Sequence, residues 1–104
     1  MAIAANWAGS AFADPMCHVG HAIGDAFGCN FHTYHGHSCS LGLSELMKLV
    51  APAVPEKMAV IAKAMGLDVK GNETGEALGN MVADFIYDLM KKMINPAVLK
   101  NAGL

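Results

Sequence analysis

Residues 4–36 of this chain read AANWAGSAFADPMCHVGHAIGDAFGCNFHTYHG, and this stretch holds most of the side chains able to do chemistry. All five histidines lie between Cys17 and Cys39, at positions 18, 21, 32, 35 and 37. A helix-like run and a short aromatic turn separate His21 from His35. Neighbouring helical elements can bring these two imidazoles onto one metal ion, and imidazole suits Zn, Fe, Cu or Ni. The alternative is a set of unrelated histidines on helix surfaces and loops.

The same stretch resembles the metal-binding core of the iron-containing (group III) alcohol dehydrogenase family. That family's pattern is approximately AAxxAGxAFxNxxxGxxHAxxHxxG, followed by a turn that ends in PHG. The matching positions, which need no gap, are Ala4, Ala5, Ala8, Gly9, Ala11, Phe12, His21, Ala22, Gly28, His35 and Gly36. A weaker match continues to residues 96–103. The resemblance implies an all-α bundle of five to six helices, like part of that family's C-terminal domain.

The resemblance also implies a function and its site residues. Full-length relatives transfer hydride between an alcohol or aldehyde and NAD(P) at a divalent metal. Their metal is held by an upstream Asp and His and by two later histidines, and the later pair corresponds to His21 and His35. Another family histidine lies beside the nicotinamide without binding the metal. Asp25 occupies that position here and is the cofactor-side candidate, while Tyr34 replaces the proline before the last histidine.

The chain departs from the family in ways that limit what we expect it to do alone. It has no glycine-dense strand-to-helix turn and no alternation of strands with helices, so no dinucleotide site is expected. Only half of the family's metal ligands have counterparts. We therefore expect a single truncated helical domain over residues 1–104, weak binding of Fe or Zn, no catalytic residue, and no NAD(P) binding by this chain alone. A separate nucleotide-binding domain is an expected partner.

Composition points to an assembled protein rather than to a nucleic-acid or membrane binder. Apolar residues make up 54% of the 104 residues and charged residues only 15%, against about 25% charged in ordinary domains. The excess apolar surface predicts a homo-oligomer, most simply a two-fold dimer.

A net charge of −2 excludes a basic nucleic-acid surface, and no apolar run is long enough to span a membrane. Three cysteines without a C-x-x-C pair predict reduced thiols and a cytoplasmic protein.

Periodicity, caps and stops predict the helices one by one. They are expected over residues 2–13, from Asp14 to about Phe27 with Gly28 as the stop, over 38–50, over 55–66, over 76–93, and after Pro96 as far as Gly103. Residues 29–37 are expected to form an irregular turn. Within 55–66, the residues expected on the buried side are Val60, Ile61, Ala64 and Met65.

Four polar residues would form a single stripe if residues 14–27 were one helix. Asp14, His18, His21 and Asp25 are spaced at i, i+4, i+7 and i+11. His18 and Asp25 are then possible helpers of His21 and His35 at the metal, with Asp25 also able to orient an imidazole from the second shell. The alternatives are a capping role for Asp14 and a solvated His18. Two functions thus stay open: the metal-binding part of an iron-containing alcohol dehydrogenase, or a non-catalytic oligomeric helical protein with residual metal binding.

Overall fold

The computed structural model describes residues 1–13 and 18–93, which form helices joined by short connections. In this part of the chain there are six α-helices, one 3₁₀ turn at Ala51–Ala53, and no strand. The helices are α1 (Ala2–Phe12), α2 (Val19–Phe31), α3 (His35–Leu41), α4 (Leu43–Val50), α5 (Pro55–Ala64) and α6 (Gly75–Met93). The expected all-α fold is confirmed.

Helices α4, α5 and α6 enclose the hydrophobic core. Leu78, Val82 and Ile86 recur at helical spacing along α6, and all three are buried. The Thr74 hydroxyl caps the first turn of α6, where it accepts a hydrogen bond from the Ala77 N–H at 3.2 Å. The core cluster consists of Ala51, Met58, Ala62, Leu78, Val82 and Ile86. These apolar contacts join the three helices into one packed unit.

Helices α2 and α3 pack against each other beside this core, and both contact α4. They approach each other closely at Gly24, where an added Cβ atom would overlap the Cys39 sulfur and lie 2.9 Å from the Cys39 backbone nitrogen. Ser38 is fully buried. Its hydroxyl donates to the Tyr34 carbonyl at 3.1 Å and shares a short hydrogen bond with the Thr33 hydroxyl. Small and polar residues therefore hold α3 in place against α2.

Helix α1 is largely apolar, yet none of its residues is buried. Ile3 is 69% exposed and Trp7 is 71% exposed. The last residue of the helix, Phe12, reaches His21 of α2, with the two ring centroids 6.1 Å apart. Within a single chain, the face that carries Ile3 and Trp7 is therefore open to solvent.

Helix α2 begins later than the sequence suggests. His18 has an extended backbone, with φ −104° and ψ −169°, so the helix starts at Val19. The Nδ1 atom of His18 accepts a hydrogen bond from the Gly20 N–H at 3.0 Å and thereby caps the helix. The expectation of one helix from Asp14 to about Phe27 is wrong, because His18 interrupts it. Asp14 itself lies outside the described residues.

The connection that follows α2 is shorter than expected. The helix continues past Gly28 to Phe31 and ends where His32 adopts a left-handed conformation, with φ 52°. Only three residues then separate α2 from α3, so an irregular turn over 29–37 is wrong at both of its ends. The expected helix over 38–50 is divided at Gly42 into α3 and α4. The consequence is that His35 starts a helix.

Helix α5 lies where the sequence places it, but its buried face was misassigned. Met58 and Ala62 are its buried residues, whereas Val60 is 66% exposed and Ile61 is 37% exposed. Ala64 is exposed as well, and only Met65 of the expected set packs against the core. Helix α5 carries apolar residues on most of its own faces, so the 3.6-residue periodicity of its sequence does not indicate which face is buried.

Helices α1 and α6 match their expected ranges to within one or two residues. The expected last helix, from Pro96 to Gly103, falls outside the described residues. Among the helices of residues 1–13 and 18–93, none has both the length and the apolar character needed to cross a membrane.

Candidate metal site

The histidine-rich segment forms its site where α2 faces α3. His21 lies on the first turns of α2, and His35 is the first residue of α3. Cys39 follows His35 by four residues on α3, which puts both side chains on the same face of that helix. Asp25 follows His21 by four residues on α2 in the same way. Two residues from each helix therefore meet across the interface.

Three potential ligand atoms converge at this point. One nitrogen of His21, one nitrogen of His35 and the sulfur of Cys39 all lie within 4.8 Å of one another. The His21 and His35 rings are 5.1 Å apart between centroids. The shortest separation joins Cys39 Sγ to His35 Nε2, at 3.4 Å. His21 and Cys39 are half-buried and His35 is exposed, so the cluster opens to solvent on the His35 side.

Asp25 contacts the Nδ1 side of the His35 ring. Its Oδ1 lies 3.5 Å from His35 Nδ1, and Cys39 Sγ is nearer to Nε2, at 3.4 Å, than to Nδ1, at 3.9 Å. A carboxylate beside one ring nitrogen favours the tautomer with its proton on that nitrogen, which leaves the other nitrogen free to bind a metal. Asp25 is thus placed to orient His35.

The donor set fits a divalent metal ion. Zinc takes histidine nitrogen at roughly 2.0–2.1 Å and cysteine sulfur at roughly 2.3 Å, so tetrahedral ligand atoms lie roughly 3.3–3.6 Å apart. The Sγ to Nε2 distance of 3.4 Å already has this value. The widest separation in the cluster, up to 4.8 Å, would have to shorten by about 1 Å on metal binding to reach this range. No oxygen-rich cage of the kind that Ca²⁺ or Mg²⁺ prefers is formed by these residues.

The other three histidines do not join this cluster. His18 caps α2 through its Nδ1 atom. His32 is exposed at the left-handed end of α2. His37 is exposed on α3, where its ring contacts the edge of Tyr34 at 5.9 Å between centroids. Of the two helpers expected from the sequence, the structure brings Asp25 to the site and gives His18 a capping role.

Cys39 is the site residue that reasoning from the sequence missed. The signal was present as His35 and Cys39 at a spacing of four, which places two ligands on one helix face. That spacing has meaning only if residues 35–39 are helical. Because residues 29–37 were expected to form a turn, the pair was not recognised.

The fold and the site together define a class of protein: an all-helical domain that brings imidazoles from two neighbouring helices to one point. The model of the family described as Fe-containing alcohol dehydrogenase family, C-terminal, matches residues 1–104. The chain belongs to the iron-containing alcohol dehydrogenase family.

Individual relatives agree with this assignment. The chain is 32% identical to an NADPH-dependent butanol dehydrogenase of Clostridium saccharobutylicum over 97 residues, which cover 93% of this chain and 24% of that protein. It is 31% identical over 98 residues to a choline dehydrogenase of Bacillus subtilis (strain 168), with 94% and 24% covered. A probable mitochondrial hydroxyacid-oxoacid transhydrogenase of Dictyostelium discoideum is 27% identical over 117 residues, with 99% and 21% covered. The chain spans about a quarter of the length of these relatives. No solved structure matches it.

Proposed function

We propose that this chain supplies metal-binding helices of an iron-containing-type alcohol dehydrogenase, with His21 and His35 as ligands of a divalent metal, Fe or Zn. The observation that carries the proposal is the convergence of these two imidazoles from separate helices, with ring centroids 5.1 Å apart. Two histidines from two elements fix a metal relative to the fold in a way that neighbours on one helix do not.

The proposed role of each residue follows from its position. A divalent metal, when bound, supplies Lewis-acid polarisation of an alcohol or carbonyl oxygen. One nitrogen of His21 and one of His35 lie at the shared point, and the Asp25 carboxylate, 3.5 Å from His35 Nδ1, would favour a proton on that nitrogen. Hydride transfer also needs a nicotinamide. We propose that a separate nucleotide-binding domain provides it and that this chain alone has no useful NAD(P)-dependent activity.

The alternative function is a non-catalytic, oligomeric helical protein that retains metal binding. The exposed face of α1 favours assembly, since Ile3 and Trp7 are 69% and 71% exposed and large exposed apolar faces mark interaction sites. We propose a second copy of the chain as the occupant, in a two-fold dimer. Sedimentation velocity at micromolar concentration should show a dimer, and Trp7→Ser should shift it towards monomer. A clean monomer for the unaltered chain would refute the dimer.

The thiols are consistent with a reducing compartment. Cys29 is exposed on α2, and exposed thiols persist in reduced form in the cytoplasm but not in secreted proteins. We therefore propose a cytoplasmic location. Fractionation of cells that express the untagged chain tests this directly.

Metal analysis of protein purified without an affinity tag tests the metal site. The expected result is one bound Fe or Zn per chain, which is lost when His21→Ala and His35→Ala are combined. His37→Ala is the matched control, because His37 lies on the same helix as His35 but only contacts Tyr34. Unchanged metal content in the double variant would show that the metal, if any, binds elsewhere.

A separate assay distinguishes the two functions. If the dehydrogenase proposal holds, this chain together with a nucleotide-binding domain, on the same polypeptide or on another, should give NAD(P)-dependent alcohol oxidation. That activity should be lost with His21→Ala. Assembly of the two without activity favours the non-catalytic function.

A further inference from the structure

We infer that Cys39 is a third protein ligand at the site of His21 and His35, so that the chain carries a two-nitrogen, one-sulfur metal site that prefers Zn²⁺ to Fe²⁺ and to the harder divalent ions. This inference rests on the proposed metal binding by the two histidines. Neither the sequence pattern shared with the family nor the names of the relatives assigns a role to Cys39.

The sulfur of Cys39 lies close to the imidazole ring of His35. Cys39 Sγ lies 3.4 Å from His35 Nε2 and 3.9 Å from Nδ1, so it is nearer to the nitrogen that Asp25 does not contact. Two ligands of one tetrahedral zinc ion are separated by roughly 3.3–3.6 Å. The pair already spans one edge of such a site, and His21 completes a triangle within 4.8 Å.

The backbone of Cys39 packs closely against α2 at Gly24. A Cβ atom added at Gly24 would lie 2.9 Å from the Cys39 nitrogen and 3.1 Å from its Cα. The absence of a side chain at Gly24 therefore lets the Cys39 backbone approach the helix that carries His21. Gly24 is three residues after His21, on the same side of α2. The sulfur is thereby directed into the interface, where Cys39 is half-buried.

The carboxylate of Asp25 lies beside Nδ1 of His35. Metal-binding histidines commonly donate their second ring N–H to a carboxylate, which fixes the tautomer and the ring orientation. Asp25 Oδ1 lies 3.5 Å from Nδ1, which is an ion-pair distance and longer than a hydrogen bond. The carboxylate is therefore near enough to take this role when a metal binds the other ring nitrogen.

The donor set determines which metal is preferred. A thiolate is a soft ligand that favours zinc over the harder ions Mg²⁺ and Mn²⁺, and Zn²⁺ also binds nitrogen and sulfur sites more tightly than Fe²⁺. Binding deprotonates the thiol: Cys39–SH and the divalent ion give the metal–sulfur bond, and one proton passes to solvent. Three protein ligands leave a fourth tetrahedral position open for water or a small ligand, as in catalytic zinc sites.

Cobalt substitution tests this inference, because Co²⁺ bound to a thiolate has a charge-transfer absorption in the near ultraviolet that nitrogen ligands alone do not produce. The unaltered chain titrated with Co²⁺ should show this band, and Zn²⁺ should abolish it by displacement. Cys39→Ser should lose the band and bind Zn²⁺ at least about tenfold more weakly. Cys29→Ser is the matched control, because Cys29 is an exposed cysteine on α2 and should leave both properties unchanged.

The outcomes separate the inference from the proposed function. If Cys39→Ser keeps the band and the affinity while the His21→Ala, His35→Ala double variant loses binding, the inference is wrong and the histidine site stands. If the double variant also binds as the unaltered chain does, both are wrong. Loss of the band in Cys29→Ser instead overturns the assignment to Cys39. A measurement on the unaltered chain serves if a variant fails to fold. Zn²⁺ should slow the alkylation of Cys39, measured by mass spectrometry, without slowing the alkylation of Cys29. Equal alkylation rates at Cys39 with and without Zn²⁺ would contradict the inference.

Discussion

The α4–α6 unit and the α2–α3 pair are packed in different ways. The α4–α6 unit is built on apolar residues with little or no exposure: Ala51, Met58, Ala62, Leu78, Val82 and Ile86. The α2–α3 pair buries only small or polar residues: Gly20, Gly24 and Ser38. Because apolar burial is the main source of stability, the first region supplies most of the stability of the fold. The second leaves its interface available for ligand side chains.

In both regions a glycine allows a neighbouring segment to approach a helix closely, but the approach has a different consequence in each. In α6, Gly79 faces Ala51 and the carbonyl of Met47, 3.3 Å from where its Cβ atom would lie. In α2, Gly24 faces the backbone of Cys39. The close approach serves core packing in one case and places a thiol beside two imidazoles in the other. A metal bound at the second site would add the cross-link that the α2–α3 interface otherwise lacks.

The largest expected effect lies in the α4–α6 unit. Leu78 is 3% exposed, so Leu78→Ala leaves a cavity and should lower the free energy of unfolding by about 2–5 kcal/mol. Leu89→Ala on the same helix is the control: that side chain is 44% exposed, and its loss should cost under about 1 kcal/mol. Urea denaturation followed by circular dichroism measures both. Equal losses would mean that α6 is not the centre of the core.

A somewhat smaller effect is expected at the α2–α3 interface. Gly24→Ala forces a methyl group against the sulfur and the backbone of Cys39, and such overpacking costs about 1–3 kcal/mol. It should also reduce Zn²⁺ affinity, because α3 must move away from His21. Gly28→Ala, on the same helix, meets nothing closer than 3.9 Å and should leave metal affinity unchanged. If both variants bind Zn²⁺ as the unaltered chain does, the close approach at Gly24 does not control the site.

Removing the carboxylate behind His35 should affect the metal and leave the core alone. Asp25→Asn is expected to weaken Zn²⁺ binding by about 10–100-fold, the usual effect of losing the group that orients a metal-binding histidine. The midpoint of urea unfolding without metal should stay the same, since Asp25 is exposed. Asp88→Asn, an exposed carboxylate on α6, provides the control for net charge. A competition titration against a chelating dye reads the affinities, and equal values for the two variants would remove Asp25 from the site.

The smallest effect is expected at the connection between α5 and α6. The Glu73 carboxylate accepts hydrogen bonds from the Lys70 N–H at 2.7 Å and the Gly71 N–H at 2.9 Å. The bond from Lys70, then the other backbone donors, lower the pKa of Glu73 below its ordinary value of 4.5. The group therefore stabilises the fold above that value, and the contribution is lost as pH falls through the lowered pKa. The stability difference between the unaltered chain and Glu73→Gln should accordingly shrink on acidification below 4.5. A constant difference across that range would contradict this role.

Sequence patterns predicted the fold class well and the site only in part. The family resemblance and the 3.6-residue period of α6 were sufficient for an all-α chain. The ends of α2 were not predictable, because His18 caps it with a side chain outside the usual capping set and His32 ends it without a glycine. The start of α3 at residue 35 was not predictable either. Without it, the spacing of four between His35 and Cys39 does not indicate a shared helix face. His21 and His35 could be predicted because both their spacing across a helix and a turn and the family resemblance indicate them, and neither depends on the exact helix boundaries.

Metal binding at the α2–α3 interface should stabilise a region that the hydrophobic core supports only weakly. Amide hydrogen exchange with and without Zn²⁺ tests it most directly, because local opening is reported helix by helix. With free Zn²⁺ at about 100 times the dissociation constant, exchange in α2 and α3 should slow by about 100-fold, while α6 should change little. Unaltered exchange in α2 and α3 under saturating Zn²⁺ would contradict the account.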